Sequence, residues 1–342
     1  MSTAKPGLAA GATCAIEDFP VALAWTPDGS ALIAGGGEGG LYRVQPNDGA
    51  VQKLGEHAPG VLQLALQPKG ALLASSAQDG SVRLWSAKAD ALIPHTVHRA
   101  KSWPAGLAWR ADGEALAFAS SKDVLVFDSA GEPLGTMRGH SCPLSHLLWR
   151  GRNEIIAAGN GAMFVDRVDN GEVSQFVVEG TPLTLALSPD LKVAASGLAD
   201  GTINFRYINS RKRSRMSGYE GKVDQTSWSS SSRYLASASS GASSIVVWDF
   251  SGKGPEGSEP LQLNAHEERI ESLAWQANGA LLVSAGRDWR VVLWRPAQKS
   301  RAALDIHLLD GPAGSTCWSP DGTRLAVAQP SGKIRFFSLS AA

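Results

Sequence analysis

Short apolar runs, each closed by a polar turn that often contains glycine, recur from one end of the chain to the other. One segment repeats most clearly: an apolar strand ending in Trp or Leu, followed by a turn. It reads LAWTPDG over Leu23–Gly29, LALQPKG over Leu64–Gly70, LAWRADG over Leu107–Gly113 and LAWQANG over Leu273–Gly279. Weaker copies end at Trp149, Leu187, Trp228 and Trp318, the last followed by Ser-Pro-Asp-Gly. The eight anchors are Trp25, Leu66, Trp109, Trp149, Leu187, Trp228, Trp275 and Trp318, spaced 38 to 47 residues apart. A steady period in this range marks a repeat architecture. It displaces the two-domain expectation that 342 residues would otherwise raise, so residues 1–342 are expected to form one domain.

Each unit carries the same internal pattern. After the first turn comes a strand rich in Ala, Leu and Ser, as in ALLASSA, EALAFAS, RYLASAS, ALLVSAG and TRLAVAQ. A second turn follows, such as Asp79-Gly80, Asp200-Gly201 or Ser331-Gly332. A third strand then ends in an aromatic, at Trp85, Phe127, Trp248, Trp294 and Phe337, and a more polar fourth strand leads onward. Asp-Gly loops suit hairpins because both residues tolerate positive φ. The inner strands are apolar on both faces, as a sheet packed on both sides requires. The prediction is all-β, four antiparallel strands per unit.

Four strands per repeat, a His near the start of a unit and Trp-Asp or its variants near the third strand's end resemble the WD40 β-propeller family over essentially the whole chain. The most specific copies are His57, Ser75, Asp79, Trp85 and His266, Ser284, Asp288, Trp294, with His to Asp 22 residues and Asp to Trp six in both. Trp248-Asp249 keeps the name-giving dipeptide and Gly139-His140 the other signature. The resemblance implies that these His, Ser, Asp and Trp side chains form hydrogen-bonded structural tetrads. Glu38-Gly39, Asn160-Gly161 and Ser331-Gly332 replace the Asp turn in units one, four and eight. Those blades are expected to rely on packing alone. Eight first strands and eight third strands predict eight blades; seven would remain if one degenerate unit were looped out. The last unit ends near Phe337 with too few residues for a fourth strand, and Ala12–Phe19 has the length to supply it. The N-terminal strand would then close the ring and remove an exposed sheet edge.

Composition narrows the function. Lys+Arg and Asp+Glu are 32 each, so no global field draws in nucleic acid or an acidic membrane. Three scattered cysteines, Cys14, Cys142 and Cys317, form no disulfide framework and fit a reducing, cytoplasmic setting. Residues 1–19 lack the apolar core of a signal peptide, and no apolar run approaches the 18 or so residues a membrane span needs.

Several constellations invite chemistry. Ser75, His57 and Asp79 could be a nucleophile, base and orienter. Yet the set occurs twice with a Trp at fixed spacing, and no Gly-x-Ser-x-Gly elbow surrounds either serine. His140, Cys142 and His146 are donors of a kind zinc accepts, and His95 with His98 form another pair, but no Cys-x-x-Cys spacing supports them. The basic run Arg211-Lys212-Arg213-Ser214-Arg215 could grip phosphates. On a predicted outer strand it reads more simply as charge protecting an edge. The glycines at 35–37, 39 and 40 open no helix, so they make no phosphate loop.

In the family, partners usually dock on the rim around the narrow end of the channel. Carried over by position, the rim here is Phe19, Trp103, Lys122, Lys222, Asp224, Arg269, Glu271, Arg287 and Trp289. The expectation is a non-catalytic, monomeric scaffold without cofactor that binds a protein or peptide, not nucleic acid or membrane. The alternative is a metal-handling accessory or a hydrolase using the channel or the His/Cys residues.

Overall fold

The computed structural model describes residues 5–86, 93–100, 102–210, 212–298 and 300–340, without the side chains of 93–97. The His95 imidazole and Arg211 therefore lie outside the described residues.

Among these residues the strands form eight four-stranded antiparallel sheets, so the blade number is eight. The first strands, which define blades 1 to 8, are Pro20–Trp25, Val61–Leu66, Pro104–Trp109, Leu144–Arg150, Ala186–Leu187, Val223–Trp228, Ile270–Trp275 and Ser315–Trp318. Blades 1 to 7 run as simple meanders. Blade 8 takes its outer strand from the other end of the chain: Gly7–Ala15 pairs antiparallel with Lys333–Ser340. The expected donor was Ala12–Phe19. The pairing segment lies further toward the N-terminus because the third strand of blade 8 continues past Phe337 to Ser340. Asp18 and Phe19 are used elsewhere, in the turns of blade 1. The only helical segment described is a single 3₁₀ turn, Pro296–Gln298, and no helix is long and apolar enough to cross a membrane.

The chain divides into two compact units. Ile16–Gln45 with Ala50–Leu185 holds blades 1 to 4; Met1–Ala15, Pro46–Gly49 and Ala186–Ala342 hold blades 5 to 8. Within each unit the core lies in the seams between consecutive blades. In the first unit Ile33 and Leu41 of blade 1 meet Leu73 and Trp85 of blade 2, and Val126 of blade 3 meets Leu147 and Phe164 of blade 4. In the second, Ile245 of blade 6 packs with Leu282 and Trp294 of blade 7, and Val291 with Leu325 and Phe337 of blade 8. Both faces of an inner strand are therefore buried, which is why those strands do not alternate.

Several of the tryptophan anchors also stitch neighbouring blades. Trp109 Nε1–H donates to the Ala65 carbonyl of the preceding blade at 3.0 Å, Trp149 to Ala108 at 3.1 Å and Trp318 to Ala274 at 3.1 Å. An apolar body with one donor fills the seam and satisfies a first-strand carbonyl together. Most first strands are also bulged near their start, between Pro20 and Ala22, Val61 and Gln63, Val223 and Gln225, and Ile270 and Ser272. The extra residue leaves the ladder and its side chain is re-aimed. In blades 6 and 7 that residue is Asp224 and Glu271.

Candidate functional site

Blade 7 is fastened by its tetrad. Trp294 Nε1–H donates to Ser284 Oγ at 2.8 Å, Ser284 bonds His266 Nε2 at 2.7 Å, and His266 Nδ1 bonds the Asp288 carboxylate at 3.0 Å. The order of donors puts the imidazole proton on Nδ1. Blade 2 uses the other tautomer. Trp85 donates to Ser75 at 2.7 Å and Ser75 bonds His57 Nδ1 at 2.6 Å. His57 Nε2 then reaches Ser81 Oγ at 2.6 Å, which donates to Asp79 at 2.6 Å. Asp79 is 3.9 Å from the ring, so a hydroxyl relays the contact that the tetrad pattern makes direct.

Three blades without that sequence pattern are tied as well, and for two of them, blades 1 and 4, the expectation of packing alone needs correction. In blade 4, His140 Nε2 bonds Asp166 at 2.9 Å and its Nδ1 bonds the Lys122 carbonyl at 2.7 Å. Both side chains are fully buried. The position 18 residues after His140 is Ala158, which offers no hydroxyl, and an acid from the third strand replaces it. In blade 6, Tyr219 stands where His is usual: its hydroxyl bonds Ser237 at 2.7 Å and accepts from Trp248 Nε1 at 2.7 Å. In blade 1, the Asp18 carboxylate accepts from the backbone N–H groups of Glu38 and Gly40. A Cβ on Gly36 would fall 1.8 Å from Asp18 and one on Gly37 1.9 Å from the Phe19 ring. Close approach of these side chains explains the glycine run.

The side chains of the catalytic and metal alternatives are engaged in structural contacts. Ser75 is fully buried and its oxygen already accepts from Trp85. Both ring nitrogens of His140 are engaged, His146 Nδ1 bonds Ser145 at 2.8 Å, and Cys142 packs against the core of blades 3 and 4. Among the described residues no three His, Cys, Asp or Glu side chains gather as metal ligands. Arg213–Arg215 of the basic run lie on the outer strand of blade 5, Arg213–Met216; Arg215 pairs with Asp200, and Lys212, just before the strand, with Glu256.

In the unit of blades 1 to 4, Trp103 is 63% exposed, so it does not pack beneath a loop. Phe19 lies across Gly37 and is 47% exposed. Lys122 donates to the Ser141 carbonyl at 3.0 Å.

In the other unit a chain of alternating charge links four of the residues expected at the rim, in blades 6 and 7. Arg269 pairs with Asp224 at 2.5 Å and lies 3.7 Å from Glu271, which also binds Arg287. Burial pushes the Asp224 carboxyl above its usual range, with Arg269 pulling against it. Lys222 is exposed beside this chain in sequence. Trp289 follows Asp288 on the turn, 50% exposed, with φ at +65°. Gly80, Gly201 and Gly332 occupy the equivalent positions at +78° to +89°. For a bulky residue the left-handed region is strained, and it persists only where the surroundings impose it. Here the Trp289 N–H donates to the Gly286 carbonyl, its carbonyl accepts from Leu309 N–H, and the tetrad's Asp288 accepts from Glu267 and Arg290 backbone. The indole lines a cleft of about 450 Å³ together with Glu268, Glu271, Arg287, Pro312 and Pro330. Sequence position found Trp289, and its place where other units carry the turn glycine was the signal for its backbone strain, but nothing in the sequence revealed its cleft.

Comparison with known proteins agrees with this construction. The family model described as "WD domain, G-beta repeat" matches residues 49–86 and 257–295, the two segments that carry the His-Ser-Asp-Trp sets. Telomerase protein component 1 of Mus musculus is 23% identical over 275 residues, covering 74% of this chain and 10% of that protein. COMPASS component SWD1 of Saccharomyces cerevisiae is 32% identical over 84 residues, 25% of this chain and 20% of that one. This chain thus spans only a small part of the length of these relatives. Among solved structures, the computationally designed Ika8 protein matches with a TM-score of 0.79 and 19% identity, covering 95% of this chain and 98% of that one. At that identity the likeness is one of fold.

Proposed function

We propose, from the premise that this chain belongs to the WD40-repeat family, that it is a non-catalytic scaffold presenting rim residues to a protein or peptide partner. The observation that carries the reading is Trp289, a half-exposed indole held on a strained turn by the tetrad beneath it. Strain maintained at an exposed aromatic has no packing purpose, and Trp is enriched among residues that dominate binding energy. Trp103, still more exposed, supports the same role in the other unit. Two relatives are named as components, of telomerase and of COMPASS, which fits a part that works by being bound. The proposal takes the chain as a cytoplasmic monomer that needs no cofactor and binds no nucleic acid.

Capture from a native lysate by the immobilised wild type, Trp289→Ala and Trp103→Ala tests this. Both variants should lose captured protein while their melting temperatures stay near the wild type's. A buried residue serves as control: Ser75→Ala should lower stability and leave capture intact. Undiminished capture by both tryptophan variants would defeat the proposal.

A further inference from the structure

We propose that the cleft beside Trp289 receives a cationic side chain, lysine or arginine, of the peptide partner. The inference rests on the scaffold reading and names its chemistry. Charge decides it. Asp224, Arg269, Glu271 and Arg287 neutralise one another along their chain of ion pairs. Glu268, which also lines the cleft, is exposed and has no partner among the described residues. The cleft therefore carries one uncompensated carboxylate next to an indole. An indole face attracts a cation through its quadrupole, and Trp is the strongest aromatic in this respect. A carboxylate at the same place adds direct charge complementarity, while Pro312 and Pro330 offer apolar surface to the aliphatic stem of a Lys or Arg. An anionic or purely apolar ligand would leave Glu268 opposed or desolvated.

The strained turn supports the assignment independently of charge. A glycine at position 289 would keep the hairpin, as it does in blades 2, 5 and 8, but would remove the one aromatic wall the cleft has among the described residues. The tetrad fixes that wall before any ligand arrives, so little ordering accompanies binding.

The full chain, isotope-labelled at its indoles, is titrated with the peptide acetyl-AAKAA-amide and with its norleucine counterpart, which keeps the stem and lacks the charge. The indole resonance missing from Trp289→Ala should move with the lysine peptide, at an apparent Kd about tenfold tighter than for norleucine. Glu268→Gln should weaken the lysine peptide by about the same factor with the melting temperature unchanged. Equal binding of the two peptides, wild-type affinity in Glu268→Gln, or an unmoved Trp289 resonance each overturns the cationic assignment. The scaffold reading is judged separately: if Trp289→Ala still loses lysate capture, that reading stands while the cationic one falls.

Discussion

Indole N–H groups in this protein divide by what they find. Trp149 donates to the Ala108 carbonyl, whereas the buried Trp275 Nε1 meets no acceptor among the described residues. Phenylalanine keeps much of the ring and removes the donor. Trp149→Phe should cost about 1 kcal/mol in chemical denaturation, and Trp275→Phe should be near neutral or stabilising, because it deletes an unsatisfied buried group. Equal losses would show that ring size, not the donor, matters. The histidines separate in a similar way. Burial, with Arg83 adding to it, pushes His57 down to about 4 against the pull of Asp79. Its unfolded value is about 6.5, so between the two the unfolded chain binds more protons. Stability from His57 is complete above that value and is lost as the pH falls toward 4. Burial opposes charge on His140 too, but Asp166 outweighs it and the pKa rises. Its contribution is complete below the unfolded value and is lost as the pH rises through the folded one. His57→Gln should therefore lose less stability than the wild type between pH 7 and pH 5 in urea melts, and an unchanged acid slope would contradict this. Asp166→Ala leaves His140 buried without its acid and should cost about 3 kcal/mol. Asn160→Ala, which removes only an exposed bond to Thr181, should cost under about 1 kcal/mol.

At the scale of elements, the outer strand of blade 8 matters most because it comes from the opposite end of the chain. It buries Leu8, and Asp305 on the outer strand of blade 7 accepts the Leu8 N–H at 2.8 Å. Removing residues 1–15 exposes the Lys333–Ser340 ladder and uncovers part of the seam between blades 7 and 8. The truncated chain should melt at least about 5 °C lower and become prone to edge pairing. A melting curve that overlays the full chain would remove this strand from the stability of the fold. The first-strand bulges act on side-chain placement instead. By taking Asp224 and Glu271 out of the ladder they place carboxylates where Arg269 and Arg287 can reach them.

For the molecule as a whole, the repeats share a strand pattern but not a fastening. Blades 2 and 7 use His, Ser, Asp and Trp, blade 6 a Tyr, and blade 4 a buried ion pair. Ser121, Leu191 and Ser232 also sit in the left-handed region, but blade 7 places the bulkiest such residue there, the half-exposed Trp289. Stability and binding should therefore part company at that position. Trp289→Gly is expected to raise stability by about 1 kcal/mol through relief of strain, while lysate capture falls. A loss of stability would show that the indole packs as core and is not an anchor.

The sequence by itself determined the eight units, their four strands, the anchor positions and where the two His-Ser-Asp-Trp sets fall. Those features follow from hydrophobic period and turn chemistry, which act over a few residues and repeat. The same spacing also held Tyr219, 18 residues before Ser237 as His57 is before Ser75 and His266 before Ser284, but only a search for any hydroxyl or imidazole would have found it. Tertiary structure alone decided the rest. His140 turns to Asp166 because Ala158 offers nothing, Ser81 comes between His57 and Asp79, and Trp289 lines a cleft. Each of these depends on where side chains meet, which is not written in the order of residues.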